Sequence, residues 1–207
     1  MTTNVNKQSF EGFDGPVAWD TPGTRRAFRL RTARHLAMGL GSVALWWGAV
    51  FVTVLLPVAA VVPMVLVLMV IGIMALVALG RLGWGWRMWR ILRVYPWRQK
   101  SGAVRITRGK DAIFVLPDPD SPEKTVSLKV SAGLFRTWSR EALKEYDEEL
   151  WYAGDPRFAC VVAKPDLRGL GYLAQPTAYN HRTSPRRKGV SPEARRRARA
   201  IGARVAD

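Results

Sequence analysis

Between Leu36 and Gly80 the chain carries no Asp, Glu, Lys or Arg. A spanning helix takes about 20 apolar residues to cross roughly 30 Å of hydrocarbon, so this stretch is long enough for two crossings and too long for one. Pro57 and Pro63 flank Val58-Ala59-Ala60-Val61-Val62. Proline removes an N–H from a helix interior, which places the predicted turn between them. The spans expected are residues 36–56 and 64–82, the second continuing as an amphipathic helix to about Val94 before Pro96 stops it. Ala37 with Gly41, and Ala44 with Gly48, have the small-xxx-small spacing that lets helices approach closely; packing within the hairpin is the favoured use, contact with a partner helix the other.

After the hairpin the period changes from helical to alternating. Val104–Thr107 and Val126–Val130 alternate apolar and polar, while Ala112–Leu116 is a continuous apolar run; each is expected to be a strand. Between the last two, Pro117, Pro119 and Pro122 mark a loop, since proline supplies no ladder N–H. Leu134, Trp138, Ala142, Tyr146 and Leu150 recur every fourth residue, predicting one amphipathic helix. Leu150–Ala153, Phe158–Ala163 and Gly171–Ala174 complete about six strands. The fold class expected is a membrane α-helical hairpin plus a small α+β cytoplasmic domain, an antiparallel sheet or half-barrel with one helix, followed by a basic, partly disordered tail. Its divisions are a disordered arm over 1–24, the spans with their flanks over 25–99, the β-rich domain over 100–178 and the Arg-rich tail over 179–207. Phe10, Phe13 and Trp19 are the arm's aromatic residues. The domain's modest core suggests packing against the membrane or a second copy, so a homo-oligomer is one expected arrangement.

Charge sets the orientation. Lys and Arg outnumber Asp and Glu by 32 to 16, a net +16. Arg25, Arg26, Arg29, Arg31 and Arg34 precede the first span, and Arg81, Arg87, Arg90, Arg93, Arg98 and Lys100 follow the second, with an uncharged turn between. By the positive-inside rule both termini are cytoplasmic in a multi-pass protein of the inner membrane. Trp84, Trp86, Trp89 and Trp97 interleave with Arg81, Arg87, Arg90 and Arg93 and read as a membrane-interface belt. The other use of such a strip, stacking single-stranded bases, is the weaker reading beside a span. Membrane lipid is thus the first expected partner, at about 1 kcal/mol per juxtamembrane Lys or Arg.

The remaining cations lie elsewhere. Arg182, Arg186, Arg187, Lys188, Arg195, Arg196, Arg197, Arg199 and Arg204 give residues 181–207 a net +7. Ser191 is a predicted N-cap, with Pro192 at the first helical position and Glu193 beside the helix N-terminus, so Pro192 to about Val205 forms a helix once its arginines are neutralised. Such a tail binds nucleic acid nonspecifically or lies on anionic lipid. Ser184-Pro185-Arg186-Arg187-Lys188 resembles the Ser-Pro-basic repeats of histone tails.

No catalytic, cofactor-binding or metal-binding set is expected. His35 and His181 have no ligand neighbours at suitable spacing; Cys160, the only cysteine, sits in an apolar run; Asp118 and Asp120 read as a solvated turn; Glu145, Asp147, Glu148 and Glu149 read as a solvated helix end. The hairpin, its Trp/Arg flank, Arg93-Val-Tyr-Pro-Trp97 and Trp151-Tyr-Ala-Gly-Asp-Pro-Arg-Phe158 resemble small two-span membrane proteins of high-GC actinobacteria, among them the accessory spread proteins of conjugative plasmids. The resemblance covers residues 36–175 loosely. It implies a non-enzymatic accessory protein that tethers DNA at the cytoplasmic face during plasmid transfer, beside a DNA translocase or other membrane protein, with no catalytic residue to carry over. The other reading is a membrane scaffold that uses the β-rich domain for protein contacts.

Overall fold

The computed structural model describes residues 15–55, 57–106, 112–129, 140–175, 179 and 189–205. Helices α1 (Thr24–Leu55) and α2 (Val58–Leu92) form a hairpin, both long and apolar enough to cross a membrane. At 1.5 Å per residue they run about 48 and 52 Å, some 20 Å beyond a hydrocarbon layer. Leu40 is 70% exposed, Phe51 69% and Val54 79%, so these side chains do not serve a protein core. The predicted turn is displaced. Pro57 is the extended residue preceding α2, and Pro63 lies inside that helix. At the sixth helical residue proline removes the bond to the carbonyl four residues earlier and its ring crowds that carbonyl, yet the helix continues through it. The helices also begin and end beyond the uncharged stretch, because arginine is a good helix former and a helix need not stop at the membrane edge.

The small-residue spacing serves differently from expectation. A Cβ at Gly41 or Gly48 would meet nothing within 4 Å, whereas one at Gly39 would lie 3.6 Å from the Ala78 Cβ. The close approach of α1 to α2 is therefore at Gly39 and Ala78, and the Gly41/Gly48 face points away from α2.

Beyond α2, seven strands among the described residues form two antiparallel sheets. In one, β1 (Arg98–Lys100), β5 (Leu150–Asp155), β6 (Ala159–Ala163) and β7 (Gly171–Ala174) run in the order β1-β5-β6-β7. In the other, β2 (Val104–Ile106), β3 (Ala112–Pro117) and β4 (Thr125–Lys129) form a meander. Helix α3 (Arg140–Glu148) packs beside them; the earlier part of its predicted span, Leu134 and Trp138, lies outside the described residues. Strand β6 explains the layering. Ala159, Val161 and Ala163 face a cluster containing Met88, Ile91 and Leu92 of α2, while Cys160 and Val162 face Phe114, Leu116, Leu128 and Tyr146. A strand buried on both faces reads as a continuous apolar run, as Phe158–Ala163 does. The four-stranded sheet is thus a middle layer, with helices on one side and the three-stranded sheet with α3 on the other.

Two peripheral segments depart from expectation. Residues 15–24 are ordered: Ala18 is fully buried and donates its N–H to the Tyr95 carbonyl at 2.8 Å, and Trp19 meets Phe28 edge-on at 5.4 Å. Phe10 and Phe13 lie outside the described residues. The tail helix α4 (Pro192–Ala200) does not stand apart from the domain either, because Ala194, Ala198 and Ile201 belong to the cluster built on α2 and β6. Alanines every fourth residue supply a narrow apolar face that arginine-heavy composition conceals.

Candidate polyanion-binding surface

Helix α4 is held at its start by a buried ion network. Arg157, 4% exposed, bonds the Asp155 carboxylate through Nη2 at 2.7 Å and Asp120 Oδ2 through Nη1 at 2.6 Å, with Asp118 at 3.3 Å. Asp120 then accepts the Ser191 N–H and the Ser191 hydroxyl, both at 2.9 Å. The same hydroxyl accepts the Ala194 N–H at 3.2 Å, so the predicted N-cap is real and is itself anchored. Asp118 and Asp120 are therefore not a solvated turn. The loop's prolines leave two carboxylates free of strand pairing, and Arg157, whose charge burial would otherwise make costly, recruits them. Burial pushes the Asp155 carboxyl up, against the hydrogen bonds from Arg157; Asp120 is also lifted by burial, but bonds from Ser191 and Arg157 outweigh this and hold it below the usual range.

With its alanine face buried, α4 turns its cations outward. Arg196, Arg199 and Arg204 are exposed and Arg195 half-exposed; Glu193 pairs with Arg196 at 2.7 Å and Arg197 at 2.9 Å. Tyr179 joins the end of α4 to the domain, its hydroxyl donating to the Ile201 carbonyl at 2.7 Å and its own carbonyl accepting the Arg204 N–H at 3.0 Å. The same turn meets α2: a Cβ at Gly202 would lie 2.6 Å from Arg90 Nη1, and Arg87 stands 5.3 Å over the Tyr179 ring. Cations assigned by sequence to the membrane flank and to the tail thus adjoin on one surface. Arg182, Arg186, Arg187 and Lys188 lie outside the described residues.

The expected interface belt divides. Trp86, 61% exposed, lies 4.8 Å from Trp89, over which Arg93 stacks at 4.8 Å. Arg81 and Trp84 border a cleft against α1. Trp97 turns inward, donating from Nε1 to Thr24 Oγ1 at 3.0 Å and meeting Trp151 edge-on. It lies past the end of α2, where β1 begins, so its ring packs on protein.

The other candidate groups have structural occupations. Glu145 holds Lys164 at 2.6 Å, Asp147 accepts the Val104 N–H, and Glu149 accepts from Trp151 Nε1. Cys160 is fully buried, and burial pushes its thiol well above its usual value. The Arg157 network was missed from sequence; its signal was a lone cation in Gly154-Asp155-Pro156-Arg157, between two runs that had to be buried strands. Comparison with protein-family models, curated proteins and solved structures returns no match, so the surface is read from its own chemistry.

Proposed function

We propose that this is a non-enzymatic, two-span membrane accessory protein, both termini cytoplasmic, that holds a polyanionic partner against a rigid arginine surface. The carrying observation is the docking of α4: its apolar face is spent on the core, leaving Arg195, Arg199 and Arg204 directed outward, and its C-terminal turn meets Arg87 and Arg90 through Tyr179 and Gly202. A helix anchored in this way loses little further freedom on binding. DNA is the polyanion proposed, and plasmid transfer beside a DNA translocase is its concrete setting, resting on the resemblance alone. Neutralising about six phosphates gives a log–log salt slope near −5.

The test is duplex-DNA binding by the full-length, detergent-solubilised protein across a salt series. Substitution replaces truncation, since removing α4 would strip the core. Arg195→Gln/Arg199→Gln/Arg204→Gln should flatten the slope by about 3, one per lost phosphate contact, and weaken binding uniformly across sequences. Unchanged affinity and slope would refute the proposal. A second reading, a scaffold whose basic surface lies on anionic lipid, is favoured by one observation: α4 packs at Met88–Leu92, within about 15 Å of where the uncharged stretch ends. Copurification of a protein partner after nuclease treatment, with no DNA binding, would support that reading.

A further inference from the structure

On the opposite flank of the hairpin, α1, α2 and the β6–β7 loop enclose a cleft of about 880 Å³. Arg26, Arg31 and Arg34 line it from α1, Arg81 from α2 and Arg168 from the loop; Asp166 is the one acid on its lining. Among the described residues, Arg26, Arg34, Arg81 and Arg168 form no ion pair. Four guanidiniums uncompensated around one cleft repel one another and call for an anion of more than one charge.

The position of the cleft identifies its source. Counting about 20 residues back from Leu55 places the hydrocarbon boundary of α1 near Leu36. Arg34 therefore stands at headgroup level. Met38, one turn deeper, also lines the cleft, and beyond it the helix surface is apolar and exposed through Leu40 and Phe51. The lining thus passes from arginine to hydrocarbon-compatible surface within two turns, the gradient a phospholipid presents and a free phosphate does not.

The loop wall is built rather than draped. Asp166 and Leu167 both have positive φ, 63° and 60°, without being glycine. Each such residue costs about 1 kcal/mol or more and persists only where its surroundings over-determine it. Here Leu167 is buried beside Gly23, the Arg31 guanidinium donates to the Leu170 carbonyl, and the Tyr146 hydroxyl donates to the Gly169 carbonyl. Arg168 is thereby carried to the rim of the cleft.

We infer that this cleft binds the phosphate headgroup of an anionic phospholipid of the cytoplasmic leaflet, a two-phosphate diphosphatidylglycerol fitting its charge best, with acyl chains lying along the hairpin. The inference rests on the two-span reading, and alkaline carbonate extraction tests that separately: release from membranes would refute the spans themselves. For the site, the full chain is reconstituted in nanodiscs of phosphatidylcholine alone or with phosphatidylglycerol or diphosphatidylglycerol, and retained lipid is counted by native mass spectrometry after detergent transfer. The expected result is one anionic lipid retained per chain, with diphosphatidylglycerol ahead of phosphatidylglycerol and phosphatidylcholine lost. Arg34→Gln/Arg81→Gln should retain roughly 25-fold less, at about fivefold per arginine, while Arg105→Gln/Lys124→Gln, equal in charge but exposed at the three-stranded sheet and outside the cleft, should match the wild type. Equal loss in both pairs, or no class preference in the wild-type chain, would overturn the site. So would displacement of the lipid by millimolar inorganic phosphate, which would assign the cleft to a soluble anion. The wild-type preference keeps the test decisive should a double variant misfold.

Discussion

Asp120 joins three parts of the chain through one carboxylate: the β3–β4 loop that carries it, Arg157 at the β5–β6 turn, and Ser191 at the head of α4. Its ordinary value is 3.8, and the hydrogen bonds it accepts set the folded value lower despite burial. A depressed carboxyl contributes stability that is fully present above its unfolded value and lost as pH falls through the folded one. Asp155, pushed up by burial, has the opposite sign, so global unfolding mixes the two. Amide exchange in α4 separates them. Corrected for intrinsic chemistry, exchange at Ala194–Ala198 should be slow near pH 6 and accelerate as pH falls below about 3.8, by about tenfold or more for loss of a charge-assisted bond. Asp120→Asn should exchange fast at every pH. Protection in the wild type that ignores pH would contradict this role.

The β5–β6 hairpin is the element on which both cores depend, and Gly154 is where it tolerates no side chain. Its φ is +129°, and a Cβ there would lie 2.4 Å from the Ala159 carbonyl oxygen and 2.8 Å from the Cys160 Cα, both backbone atoms of a buried strand. Gly154→Ala should cost about 3 kcal/mol, read as a lowered thermal midpoint of the detergent-solubilised protein, whereas Gly102→Ala, at positive φ but in open space, should cost markedly less. Equal midpoints would mean that the hairpin relaxes around the new methyl. Elements with their own pattern were legible in the chain: Val104–Ile106 and Thr125–Lys129 lie within a residue or so of the alternation that predicted them, Ala112–Pro117 within a residue of the continuous apolar run that did, and Pro192 does open a helix capped by Ser191. Elements made by their partners were not. Strand β1, Arg98–Lys100, has no apolar alternation and exists because its backbone pairs with Leu150–Tyr152. The burial of α4 rests on small alanines meeting α2, which arginine composition outweighs in any one-dimensional reading. The Arg157 network joins residues 37 positions apart: the lone cation between two apolar runs marks one end of it, but no local pattern names Asp120 as the partner.

At the scale of the whole molecule, the two-residue separation of α1 from α2 commits Thr24 and Leu92 to the same end of the hairpin, and the sheets and α4 pack around that end. Every described Lys and Arg lies on that end, so the proposed orientation, with both termini cytoplasmic, makes the Pro57 turn the part that crosses. Single-cysteine labelling can read this cleanly because Cys160 is fully buried and its thiol is held protonated by burial, giving a silent background in the folded chain. In intact cells a membrane-impermeant maleimide should label Pro57→Cys and leave both the wild type and Ser101→Cys unmodified. Ser101→Cys, on the exposed bend after β1, should react only once the membrane is permeabilised. The reverse pattern would invert the orientation and place the arginine surface of α4 outside, away from any cytoplasmic DNA. Labelling of both sites before permeabilisation would mean that the hairpin does not separate its ends across a bilayer, and the 20 Å by which α1 and α2 outrun the hydrocarbon layer would then need a protein partner to cover them.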